Sequence, residues 1–135
     1  MAPNGFLQKL WRVQRRLVED ARPCLAGTGL DPKRAFLLAQ VERGLRPGEI
    51  ADRLHLPPPS VSHLLADLEA AGWLVREPDP EDRRRQRLRL TEAGRARLEA
   101  ARRCLEAASN ALLKALSEEE RATLFALLDR LEEEP

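Results

Sequence analysis

Arg76, Arg83, Arg84, Arg85, Arg87 and Arg89 crowd one short stretch, opposed only by Glu77, Asp79, Glu81 and Asp82. Guanidinium groups present a planar fork of donors that fits phosphate oxygens. A little upstream stand Pro59, Ser60, Ser62 and His63. Short polar side chains of this kind, set on one helix, can reach the edges of bases. This chemistry is binding, not bond-breaking. Ser62 and His63 are neighbours, so on a helix they point in different directions and make no nucleophile and base. The chain has no Gly-rich phosphate loop and no metal-ligand spacing. We expect no enzyme, no cofactor and no metal.

These residues need elements to position them. Leu45 to Thr91 reads as helix, tight turn, helix, then a two-stranded hairpin with arginines at its tip. That order is a helix-turn-helix followed by a wing. The fourth helix of the chain is expected from Pro58 to Ala71, stopped by Gly72. Val61, Leu64, Leu65 and Leu68 form its apolar stripe. Pro59, Ser62, His63, Ala66, Asp67 and Ala70 then form the opposite face, whose width suits a major groove. Trp73 to Arg76 reads as a strand, Pro78-Asp79-Pro80 as a loop, and Gln86 to Leu90 as a second strand with Leu88 and Leu90 inward. Arg83, Arg84 and Arg85 fall at the tip, where a ribbon suits the minor groove.

The remainder is helical by pattern. In the first helix, Gly5 to about Arg22, Phe6, Leu10, Val13 and Leu17 recur at helical steps, widened by Leu7 and Trp11. Such a stripe demands a partner surface, and Pro23 is expected to end the helix. Asp31 caps a second helix from Pro32 to about Arg43, expected to bury Ala35, Phe36, Leu38, Ala39 and Val41. A third starts at Pro47 with Arg46 at its cap, and Ile50, Ala51 and Leu54 inward. His55-Leu56-Pro57 makes the turn. Thr91 caps a fifth helix whose Leu98, Ala101, Leu105, Ala108 and Leu112 form a packing seam. It is expected to reach Leu116. Ser117 with Glu120 is a capping box for a sixth, bearing Leu124, Leu127, Leu128 and Leu131.

With 135 residues the chain is long enough for one domain with its own core. Net charge is only +1, yet the wing is basic and the C-terminal stretch, from Glu118 to Glu134, is acidic. A protein that lays one face on a polyanion has this asymmetry, although charge runs are also ordinary solvated surfaces. No apolar run is long enough to span a membrane. No h-region precedes a cleavage site, so a cytoplasmic location is expected, with no membrane partner. Cys24 and Cys104 match no metal spacing, and in a reducing compartment the default is two free thiols.

Four runs together carry a family resemblance: E-I-A-D-R-L, P-S-V-S-H-L-L-A-D-L-E-A-A-G-W-L-V-R, D-P-E-D-R-R-R and L-T-E-A-G. In this combination and order the chain resembles the MarR family of bacterial winged-helix regulators. The implied fold is mainly α with a small β-hairpin wing, an α+β arrangement in a single domain spanning 1–135. About 31–97 would form the winged helix-turn-helix lobe. About 1–30 and 98–135 would form a helical dimerisation region. The resemblance implies a homodimer that binds double-stranded DNA at a palindromic operator, most often as a repressor. Pro59, Ser60, Ser62 and His63 match the reading positions of the recognition helix. Arg84 matches the wing-tip arginine, with Arg83 and Arg85 beside it, and Arg76 matches a structural arginine of the first wing strand. Many relatives are released from DNA by small aromatic or phenolic ligands held between the dimer helices and the lobe. Trp11, Arg15 and Phe36 stand at matching element positions, although aromatics at helical spacing are more often core.

The chain also departs from the family pattern. Pro57, Pro58 and Pro59 replace the usual polar cap of the recognition helix and remove backbone donors. His63 stands where arginine is usual. The acid that commonly braces the wing arginine is missing from its place, or is rebuilt through Asp67. The recognition helix has no Lys or Arg and carries Asp67 and Glu69. One branch of the family senses peroxides through a cysteine near the start of the first helix, held by tyrosines. Cys24 lies at the far end of that helix and the chain has no tyrosine, while Cys104 reads as a small packing residue. Two functions therefore compete: a DNA-binding regulator that leans on its wing, and a winged-helix interaction module with little DNA affinity.

Overall fold

A computed structural model describes the backbone of residues 3–133 and the side chains of residues 5–133. Glu134 of the acidic stretch lies outside them. In chain order the elements are α1 (Pro3–Ala26), α2 (Pro32–Glu42), α3 (Pro47–Leu54), α4 (Pro58–Ala70), β1 (Leu74–Pro78), β2 (Gln86–Leu90), α5 (Glu92–Leu113) and α6 (Glu118–Glu132). The mainly α reading with one β-hairpin holds. Contacts divide the chain into two compact units, 22–104 and 1–21 with 105–135. The long helices α1 and α5 each contribute to both.

Within the 22–104 unit, Leu37, Leu38, Ile50, Leu65, Leu68, Leu74 and Leu98 are almost fully buried. α3 packs on α4, α4 on β1, and α2 on β2. The hairpin is antiparallel and pairs Leu74 with Leu90 and Arg76 with Leu88. Residues directly opposite share a face, so Leu74, Leu88 and Leu90 bury one side. Pro78 closes β1 opposite Gln86; having no N–H, it suits a strand end.

The L-T-E-A-G run now has a physical reason. The Thr91 N–H donates to the Trp73 carbonyl at 3.1 Å. Its hydroxyl donates to Gly72 O at 2.7 Å and accepts from the Gly94 N–H at 3.0 Å, capping α5. A Cβ on Gly94 would lie 1.9 Å from the Trp73 carbonyl oxygen. Nothing but glycine fits there without moving backbone. Gly94→Ala is expected to cost about 1–3 kcal/mol by overpacking, read as a lower urea midpoint with unchanged m. An unchanged midpoint would contradict the close approach. The Trp73 ring is sandwiched further: the Arg97 guanidinium stacks 5.3 Å from its centroid and donates to Thr28 O at 3.1 Å.

Four expectations are corrected. α1 does not end at Pro23 but runs through it to Ala26. A proline inside a helix costs a hydrogen bond, and burial of Leu25 in the last turn offsets that loss. The cysteines are not free thiols: Cys24 and Cys104 form a disulfide, with Cα atoms 5.6 Å apart across a sequence separation of 80. Cys104 is buried, but as a crosslink rather than as a small packing residue. On α2, Phe36 is 52% exposed while Leu37 and Gln40 are buried in its stead, and Ala39 is only partly covered. The core-facing stripe of α2 is rotated away from Phe36. α5 stops at Leu113, short of Leu116, where the Leu116 N–H turns back onto the Leu113 carbonyl at 3.0 Å and the Arg121 side chain donates to the same oxygen at 2.9 Å.

In the other unit the capping box is formed: the Ser117 hydroxyl accepts from Glu120 N, and Glu120 accepts from Ser117 N. α6 has no buried residue. Phe6, Leu7, Leu10, Trp11 and Val13 of α1, and Phe125, Leu127, Leu128 and Leu131 of α6, are left exposed within this chain. Among the described residues no helix is long and apolar enough to cross a membrane.

Candidate nucleic-acid interface

The helix-turn-helix is α3, its turn and α4. α3 begins with the Arg46 N–H donating to Glu49 Oε1 at 3.0 Å. The turn is made at His55, in the left-handed region at φ 52 and ψ 41. The Leu56 N–H then closes onto Ala51 O at 3.1 Å. Pro57 occupies the cap of α4, and the N–H groups of Ser60 and Val61 both donate to its carbonyl. Pro58 and Pro59 have no N–H to give. The first turn of α4 therefore holds no free backbone donor, and the usual anion seat of a helix N-terminus is closed. Only the side chains of this helix are left to bind.

Those side chains lie where the pattern put them. Val61, Leu65 and Leu68 are buried, while Pro59, Ser60, Ser62, His63, Ala66, Asp67 and Ala70 are exposed. The two acids of the helix are not bare. Arg34, from the first turn of α2, reaches Asp67 Oδ2 at 3.4 Å, and His63 Nε2 lies 3.8 Å from the same oxygen. Arg76 of β1 stands 3.5 Å from Glu69. Asp67 thus turns to α2 and does not rebuild the wing brace.

The wing is braced elsewhere. Arg46 Nη2 lies 3.3 Å from Asp79 Oδ2, tying the start of α3 to the base of the loop. Asp79 Oδ1 accepts from Glu81 N at 2.9 Å, and Asp79 N donates to Arg85 O at 3.0 Å. Asp82 takes the next two amides: Arg84 N at its side chain and Arg85 N at its carbonyl. Two aspartates thus fold the tip and aim its arginines. The Arg85 guanidinium lies 3.6 Å from Asp82, and Arg87 and Arg89 share Glu77 at 3.4 Å. Among the described residues Arg83 and Arg84 have no acidic partner and are exposed. They are the free cations of the tip.

The Asp79 carboxyl is held below its ordinary 3.8, first by the Glu81 N–H, against partial burial, with the Arg46 charge and the Asp82 N–H adding to it. A depressed carboxyl contributes stability above its unfolded pKa and loses it as pH falls through the folded one. The Glu81 amide shift is therefore expected to titrate with a midpoint below 3.8, and the step is expected to vanish in Asp79→Asn. A midpoint at or above 3.8 would contradict the brace.

The other candidates are less gathered. Arg15 stacks on Trp11 at 5.5 Å and pairs with Glu19 at 3.0 Å on α1. Phe36 belongs to α2 in the other unit. Sequence reading missed Arg34 and gave Arg46 no bracing role; both partners lie 33 residues away, where no local period signals them.

Known proteins match this arrangement. A profile of the MarR family matches residues 28–85. The uncharacterized HTH-type transcriptional regulator YdgJ of Bacillus subtilis (strain 168) is 30% identical over 108 residues, covering 78% of this chain and 66% of that protein. The uncharacterized HTH-type transcriptional regulator ML2140 of Mycobacterium leprae is 36% identical over 62 residues, covering 46% of this chain and 43% of that protein. The match thus spans less than two thirds of these relatives' own length. Among solved structures, the transcriptional repressor CouR bound to a 23-mer DNA duplex is 31% identical, with a TM-score of 0.80, covering 93% of this chain and 90% of that one. Wild-type MarR of E. coli, at 24% identity and a TM-score of 0.80, covers 98% and 99% and shares the fold. Profile, relatives and winged helix-turn-helix geometry agree: the chain belongs to the MarR family of transcriptional regulators, not to the enzymes.

Proposed function

We propose that the chain is a homodimeric, sequence-specific DNA-binding repressor that works in the cytoplasm. α4 enters the major groove, with Pro59, Ser60, Ser62 and His63 toward the bases, and the wing sets Arg83 and Arg84 in the minor groove beside it. One observation carries the reading: two guanidiniums without acid partners stand at the tip of a loop folded by two aspartates. Unpaired guanidiniums at an ordered tip suit a phosphate or groove contact. The exposed apolar stripes of α1 and α6 support a second copy as partner, since contiguous apolar patches mark association sites. The DNA duplex bound by CouR supports the same class of ligand here. A small aromatic or phenolic effector is proposed to release the chain from DNA.

The second reading, an interaction module without DNA affinity, is favoured by the donor-free start of α4. Duplex binding at rising salt separates the two. Two copies bring four tip guanidiniums, so log K is expected to fall against log salt with a slope of about −3.6 or steeper, about 0.9 for each. Absence of salt-dependent binding would favour the interaction module.

A further inference from the structure

The recognition helix carries no Lys or Arg, and it carries Asp67 on the exposed face with His63 and Ala70. A bare carboxylate there would stand against phosphates, and at contact distance like charges cost binding. Arg34 pairs with that carboxylate. It enters from α2, where Asp31 caps the helix by accepting the Arg34 N–H at 2.7 Å and holds its Nη1 at 2.5 Å. The other arm of the guanidinium is then aimed at Asp67 Oδ2 at 3.4 Å. A groove of about 560 Å³ opens between the two helices, lined by Asp31, Lys33, Arg34, Pro59, Ser60 and His63 among others. Arg34 therefore sits at the margin of the surface that would meet the duplex. A parallel pair, Arg76 with Glu69, covers the second acid of the helix from β1.

We propose that Arg34 is a positioning residue for DNA reading: reaching across from α2, it pairs with Asp67 and holds that carboxylate off the duplex. The inference rests on the DNA-binding reading above. It assigns to α2 a part in recognition that neither the helix-turn-helix nor the wing supplies, and it explains how a helix bearing two acids can lie in a groove.

The test is a double-mutant cycle on duplex affinity and salt slope, using wild type, Arg34→Ala, Arg34→Lys, Asp67→Asn and the Arg34→Ala/Asp67→Asn pair. A random-sequence duplex pool serves as the probe. Thermal midpoints show that each variant folds. Arg34→Ala is expected to weaken binding about tenfold, by exposing one like charge. Arg34→Lys restores most of it. Asp67→Asn binds at least as tightly as wild type. The double variant returns to the Asp67→Asn level, a rescue that a merely structural loss would not show. If the two changes add independently, Arg34 touches phosphate directly and the mask is wrong. If Asp67→Asn alone weakens binding and alters base preference, Asp67 reads a base and the mask is wrong. A wild-type chain that retains no duplex at low salt overturns the DNA-binding reading instead, and the mask with it.

Discussion

Reduction of the Cys24–Cys104 disulfide is expected to lower the stability of the 22–104 unit by about 4 kcal/mol. The bond closes a ring over a sequence separation of 80, and loop closure of that size removes roughly this much free energy from the unfolded ensemble by the chain-entropy account. The ring contains α2, α3, α4, both strands and the first half of α5. It therefore encloses the whole proposed reading surface. Cys24 is exposed and Cys104 is buried, so a dithiol can reach the bond from the α1 side. The measurement is thermal unfolding with and without a dithiol reductant, beside a Cys24→Ala/Cys104→Ala variant. Reduced wild type and the variant should melt together, about 15–30 °C below the oxidised protein. An identical midpoint with and without reductant would show that the crosslink contributes nothing.

Removing the free tip cations is expected to cost about 100-fold in duplex affinity at physiological salt. The variant is Arg83→Ala/Arg84→Ala. Four guanidiniums leave the dimer, so the salt slope should become shallower by about 3.6, and the loss should be uniform across sequences. Arg85, Arg87 and Arg89 already have carboxylate partners, so their single alanine variants should lose less. The α4 helix has no backbone donors to compensate, because its first turn is Pro58, Pro59 and a Ser60 N–H already spent on Pro57. His63→Ala should change base preference with a loss smaller than that of Arg84→Ala. A larger loss from His63→Ala would sink the idea that this chain leans on its wing.

Local patterns were legible in the sequence because they act over a few residues. The Asp31 and Ser117 caps, the Pro47 and Pro58 starts and the bounds of β2 follow from caps and period alone. So did the exposed face of α4, whose stripe of Val61, Leu65 and Leu68 allows only one orientation. Long-range choices were not legible. Pro23 argues for a helix end, but burial of Leu25 overrides it. Cysteine spacing and the expected compartment argued for free thiols, yet the fold brings Cys24 and Cys104 together. Phe36 looked like core because one turn of phase in a short helix is not fixed by composition. The pairs Arg34–Asp67 and Arg46–Asp79 join elements far apart in sequence, and each decides what a visible motif can do. The first pairs Asp67 of the recognition helix; the second props the wing.

Two copies of this lobe are expected to read duplex DNA in register. Selection from a random duplex pool with the purified chain at physiological salt is expected to enrich a palindrome whose half-sites lie about one helical turn apart. Recovery of a single unpaired half-site, or of no sequence at all, would contradict it.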